Sequence, residues 1–248
     1  MNERALFLAW QDKSSRQWFP IGRLDADVER SLYRFRYVGG VTQARDMAQF
    51  VPLWEFPDLT RDYRSPYLFS LFRNRLMSSA RPDRGNYLRE LDLHQQADEI
   101  EILTVSGGYR MTDAYEVFPK LVKGDGGRFS CRFFLHGWRH VSPAGQHRIE
   151  SLKPGDGLQL TLELNNPATV LAVQIQTTDY HMIGWAPRYL VRDLAAAMAE
   201  SPSTYEAEVV RVNPPSAPSM QRVLIEMRGS WKRHDPMTAP EFRPLVPE

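Results

Sequence analysis

Three short stretches in the C-terminal half carry side chains suited to gripping an aromatic, negatively charged ligand. Trp138, Arg139 and His140 follow Gly137 in FLHGWRHVSP, Asn165 and Asn166 sit in LELNNP, and Trp185 precedes Arg188 in IGWAPR. Indole and imidazole rings offer stacking surface, guanidinium groups bring charge to phosphates, and amides hydrogen-bond phosphate or sugar oxygens. Those residue types together point to a ligand with bases to stack and phosphates or sugar hydroxyls to hydrogen-bond, a nucleic acid. The plainer reading puts both tryptophans in a core and leaves Asn165 and Asn166 only the turn conformations that asparagine tolerates.

Nothing comparable speaks for catalysis. The chain has no GxxxxGK[ST] loop, no HExxH, no CxxC pair and no GxSxG elbow, and its six histidines are scattered. The glycine pair of VSGGYRMTD lacks the GxGxxG spacing that cradles a pyrophosphate, and reads as a turn. The one cysteine, Cys131, lies inside the alternating run SCRFFLHGW, so it reads as a buried, inert thiol. Neither enzymatic activity, a metal nor a cofactor is expected.

Bulk properties narrow the partners. Of 248 residues, 31 are basic and 30 acidic, a net charge of +1. A protein gripping a long duplex through many phosphates normally shows a basic excess, so that mode is disfavoured. No apolar run approaches the roughly 18 residues of a membrane helix, and MNERALFLAWQDKSSR lacks the long apolar segment and cleavage site of a secretion signal. A cytoplasmic, membrane-free protein is the expectation.

The elements that must position these side chains fall into two modules, divided at the glycine-rich KLVKGDGGRFS. The first, residues 1–124, opens with the strand patterns RALFLAW, WFPIGRL and YRFRYV, which make a small antiparallel sheet. A helix is expected from Pro66, capped by Ser65, with Leu68, Phe69, Phe72 and Leu76 on one face and Arg73 and Arg75 turned away. The arginine-rich stretch 61–90 reads as a solvated basic face. In the second module, 128–231, RFFLHGW, LQLTLEL, LAVQIQT, YEAEVVRV and QRVLIEMRGSW alternate with period two, and Leu158, Leu160, Leu162 and Leu164 define an inward face. One helix runs from Pro187 to near Glu200. The fold class is therefore α+β: a sheet-plus-helices module followed by a small, partly closed β barrel with one inserted helix. Residues 232–248 form a Pro-rich, extended or disordered tail.

Gly137-Trp138-Arg139, LKPGDGLQLTLELNNP, Ala172 to Ile175 and IGWAPRYLVRDL resemble the HIRAN domain across roughly residues 128–231. That resemblance implies an OB-like barrel of five to six strands which captures DNA. By position it implies that Arg139 contacts the nucleic-acid backbone, that Asn165 and Asn166 supply paired amides, and that Arg188 binds phosphate. Where the family pattern has an aspartate that accepts from a strand's terminal 3′ hydroxyl, this chain has Thr169, and His140 and Val141 replace its aromatics. IGRLDADVERSLYRFRYVGG, FVPLWEFPDL, SPYLFSLFRNRLMSSARPDRGNYLRELDL and EILTVSGGYRMTDAYEVFP are similar, in order, to the N-terminal subdomain of HipA-type toxin kinases, which implies protein contacts. Gly184 is expected to allow a tight turn and Pro187 to start a helix, holding Arg188 at its positive end. The combined reading is a non-catalytic adaptor that binds DNA through the second module. Its alternative is a regulatory partner of a toxin kinase or DNA-processing enzyme that makes only protein contacts.

Overall fold

A computed structural model of the chain describes residues 4–246, so the ends of both expected terminal segments lie outside the described residues. The period-two runs of the first hundred or so residues fold as strands: β1 (Arg4–Gln11), β2 (Trp18–Asp27), β3 (Leu32–Tyr37), β4 (Tyr63–Ser65) and β5 (Tyr115–Pro119). They pair antiparallel in the order β4-β3-β2-β1-β5. Helices α1 (Gly40–Ala48), α2 (Ser70–Arg73), α3 (Arg84–Glu90) and α4 (Glu99–Ser106) intervene. Leu6, Leu8, Ile21, Leu24 and Phe35 cluster with Val41, Phe56, Phe72, Ile100 and Leu103. This core belongs to one of two compact units, which comprises 1–88, 93–120 and 237–248.

Two local expectations in this unit need correction. The helix expected from Pro66 is the four-residue α2, with Phe69 rather than Ser65 at its N-cap. Glu55 takes over capping, accepting from the Ser70 and Leu71 N–H groups at 2.8 Å. Arg75 does not face solvent: its guanidinium is buried, donates to Gly108 O, and pairs with Asp113 at 2.7 Å. The Pro-rich segment is packed along its described part. Phe242 meets the Phe7 ring at 5.0 Å, Leu245 N–H donates to Tyr37 O, and Val38 bridges Pro244.

The second unit comprises 89–92 and 121–236. Its six antiparallel strands are β6 (Arg128–Phe134), β7 (Gly157–Asn166), β8 (Val170–Thr177), β9 (Met182–Trp185), β10 (Glu206–Val212) and β11 (Val223–Ser230), in the order β6-β11-β10-β7-β8-β9. They do not make a continuously hydrogen-bonded barrel. Past the end of β6, one isolated bridge between His136 and Trp185 joins that edge of the sheet to β9 at the other. The expected helix is α6 (Val191–Glu200), and a second, α5 (Pro143–Glu150), precedes β7. Leu158 and Leu160 are buried as expected, but Leu162 and Leu164 are 36% and 66% exposed, because the β7–β8 hairpin runs on past the core.

The chain after β11 straps α6 at both ends. Trp231 Nε1 donates to Asp193 O, His234 Nε2 lies 2.6 Å from the buried Asp193 carboxylate, and Glu200 accepts from the Lys232, Arg233 and His234 N–H groups. Cys131 is buried beside this region, and desolvation pushes its thiol up to about 12, which keeps it protonated and unreactive. Among the described residues no helix is long and apolar enough to cross a membrane.

Candidate functional site

The bridge joining the sheet edges is also what gathers the candidate residues. His136 and Trp185 exchange both backbone hydrogen bonds at 2.9 Å. Gly137 then turns the chain at φ +66°, and a Cβ there would lie 2.6 Å from Cε3 of the Trp185 ring. Only glycine meets both demands. Gly184 answers to a different constraint from the tight turn expected of it. It lies within β9, where a Cβ would come within 2.5 Å of the His136 carbonyl oxygen.

Gly137 leads into a 3₁₀ turn, Trp138–His140, closed by His140 N–H donating to Gly137 O at 2.8 Å. Trp138 is half-buried and its indole N–H donates to Ser219 O at 2.8 Å, so it anchors the turn. Arg139 and His140 are exposed. On the other side of the bridge, Pro187 precedes a second 3₁₀ turn, Arg188–Leu190, and α6 begins only at Val191. Arg188 is exposed in that turn, ahead of the helix rather than in its first turn. Its charge reaches His136: burial first, then Arg188, lower that imidazole to about 4, so it is neutral at ordinary pH.

Trp185 is half-buried, and its indole N–H donates to Glu163 Oε2 at 2.8 Å. The same carboxylate oxygen accepts from Asn166 Nδ2 at 3.0 Å. Asn166 Oδ1 accepts from Ala168 N, Thr169 N and Thr169 Oγ1 at 3.0–3.1 Å. Asn166 therefore holds the hairpin tip, as the plainer sequence reading has it, while Asn165 is exposed beside it. The Trp185 and Asn166 hydrogen bonds hold the Glu163 carboxyl below the usual range, so the site contains one carboxylate ionised at neutral pH. Glu163 is the residue sequence reasoning missed. Its signal was its place in the β7 alternation, two residues before Asn165, opposite Ala172 on β8.

The structure thus places Arg139, His140, Arg188, Trp185 and Asn166 around one end of the six-stranded sheet, with Trp138 and Asn166 serving as internal anchors. The turns that follow His136 and Trp185 carry the exposed Arg139 and Arg188, and Trp185 between them in the bridge is partly exposed. Such an arrangement can stack on a base while charged groups reach the flanking phosphates.

No curated protein matches the chain. Two solved structures resemble part of it: a Lactobacillus plantarum protein (16% identity, 43% of this chain and 100% of that one, TM-score 0.33) and the HIRAN domain of human HLTF (18% identity, 44% of this chain and 84% of that one, TM-score 0.33). Residues 128–228, which hold every candidate site residue, match the family model of the HIRAN domain.

Proposed function

We propose that the chain is a non-catalytic adaptor whose HIRAN-like unit binds single-stranded or end-exposed DNA. The observation that carries this is the backbone bridge between His136 and the partly exposed Trp185, with the exposed Arg139 and Arg188 in the turns that leave it, inside the segment that matches a family known for DNA binding. Trp185 stacks on a base, the two arginines bind phosphates, and exposed His140 and Asn165 offer further polar contacts. The first unit makes protein contacts. Supporting that role, Trp54 is 97% exposed on a loop pinned by Tyr37, whose hydroxyl accepts from Leu53 N and donates to Phe56 O.

One observation favours the alternative, in which this surface engages protein only: the Glu163 carboxylate beside Trp185 repels phosphate. Fluorescence anisotropy with labelled single-stranded and duplex oligonucleotides separates the two readings. On the DNA reading, single strands bind and the Arg139→Ala, Arg188→Ala double variant loses most of that affinity. Binding unchanged by the double variant would remove this site from the account.

A further inference from the structure

The β8–β9 connection departs from ordinary turn chemistry at one residue. Thr177 N–H donates to His181 O at 3.0 Å and Tyr180 N–H donates to Thr177 O at 2.9 Å, leaving Thr178, Asp179 and Tyr180 as a three-residue loop. In such hairpins the third residue takes the left-handed conformation, where glycine is usual because it has no Cβ to strain. Here it is Tyr180, at φ +64°, with its side chain 76% exposed. Little of this residue is buried, and its Cβ makes the left-handed conformation less favourable than it is for glycine. Bulky residues held in strained conformations at a surface point to a function for the side chain. The unit has a parallel in Val170, at φ +66° and 74% exposed, paired directly with Asn166 at the candidate site.

Helix α5 connects Tyr180 to that site. From its middle, Gln146 Nε2 donates to the carbonyls of Arg139 and Val141 at 3.2 and 3.1 Å. At its middle, Gly145 lies so close to β9 that a Cβ would be 2.3 Å from Met182 O. In its last turn, Arg148 Nε donates to Asp179 at 3.1 Å, and His181 Nδ1 lies 3.3 Å from the same carboxylate. The helix is thus fixed between the turn that displays Arg139 and the turn that displays Tyr180. Its eight residues span about 12 Å.

We infer that Tyr180 is a second stacking contact for a single nucleic-acid strand, which runs from Trp185, Arg139 and Arg188 along α5 to the exposed Tyr180 ring. The inference rests on the DNA reading above and extends it. Arg148 offsets the Asp179 carboxylate, so the contribution at this end is the ring itself rather than net charge. Such a path fits within the ~4–16 nucleotides that one OB fold covers.

The test uses the full chain, with fluorescein-labelled oligothymidylates of about 2 and about 12 nucleotides as probes, the shorter spanning only about 7 Å. Tyr180→Asn keeps a residue that tolerates the left-handed turn, and Tyr180→Phe keeps the ring. The expected result is that Tyr180→Asn binds the longer strand about fivefold to a hundredfold more weakly than the wild-type chain. It binds the shorter one unchanged, and Tyr180→Phe matches the wild type on both. Thermal unfolding checks that Tyr180→Asn is at least as stable as the wild type. Equal binding of the longer strand by Tyr180→Asn and wild type overturns the extension, and it leaves the first site standing if the Arg139, Arg188 double variant still loses the shorter strand. If the double variant binds both strands normally, or the wild type binds neither, the site and its extension fall together.

Discussion

Trp185 shows how much depends on single groups here. It bridges β9 to His136 through its backbone, covers Gly137 with its ring and donates its indole N–H to Glu163. Gly137→Ala should therefore displace the indole as well as strain the backbone. A loss of about 1–2 kcal/mol from the left-handed conformation alone is expected, with a shift in tryptophan emission, measured by urea unfolding and fluorescence. Two titrations at the bridge act in the same direction. His136 has a folded-state value lowered to about 4, below its ordinary 6.5, so the unfolded chain binds the extra proton between those limits and stability falls as pH drops through them. Glu163 is held below its ordinary 4.5, so the stability it contributes is present above that value and is lost as pH falls through the lower one. The thermal midpoint of the full chain should decline from pH 6.5 toward 4, with about 1–2 kcal/mol due to His136 after solvent screening. His136→Gln should flatten that part of the profile. An unchanged pH profile in this variant would show that the imidazole titrates freely in the fold.

The strands were the most legible elements, and the reason is burial on one face. β7, β8 and β10 alternate because one face is buried, at Leu158 and Leu160, Val173 and Ile175, and Ala207 and Val209, and the sequence pattern records it. The same logic misled at Leu162 and Leu164, because a period-two pattern states which face a residue is on and not where the core ends. α5 escaped notice because PAGQHRIE buries only Gly145 and Ile149, too few for an apolar stripe, although Ser142 and Pro143 carry a helix start. The helix expected from Pro66 failed for the opposite reason: Leu68 and Phe72 are buried as the stripe implies, but tertiary contacts through Glu55 and Arg75 fix a single turn. At the site, glycines, tryptophans and arginines were readable as types, whereas the Trp185–Glu163–Asn166 relay depends on strand register. The strap over α6 was likewise invisible, since Glu200, Asp193 and His234 have no sequence pattern in common. Its prediction follows from burial. His234→Ala removes one partner of the buried Asp193 carboxylate and should cost about 1–3 kcal/mol. A fragment spanning 121–236, which keeps the strap, should unfold at higher urea than one spanning 128–231. Equal midpoints for the two fragments would mean the strap adds nothing to α6.

For the whole molecule, near-neutral charge and a compact site set the terms of the proposed DNA binding. With 31 basic and 30 acidic side chains there is no broad field to draw in a strand, so affinity must come from a few local contacts. Much of the basic charge elsewhere is offset locally: Arg34 and Arg64 pair with Asp62, Arg81 with Asp83, and Arg228 with Glu226. If Arg139 and Arg188 each meet one phosphate, the salt dependence for a single strand should have a slope of about −1.4 in log K against log salt. Raising salt from about 50 to about 200 mM would then weaken binding only about sevenfold. A slope several times steeper would require a basic surface other than this one. The same locality bears on strand ends. Thr169 stands where an end-reading acid is expected, and its hydroxyl already donates to Asn166 Oδ1 at 3.0 Å. The nearby carboxylate, Glu163, is committed to Trp185 and Asn166. Blocking the 3′ hydroxyl of a bound oligonucleotide should therefore change its affinity less than removing either arginine, each of which should cost about 1–3 kcal/mol. Anisotropy with matched free and 3′-phosphorylated strands measures this directly. A preference for the free end larger than the loss from Arg139→Ala would mean that ligand binding releases Glu163 or Thr169 from the relay to accept the terminal hydroxyl.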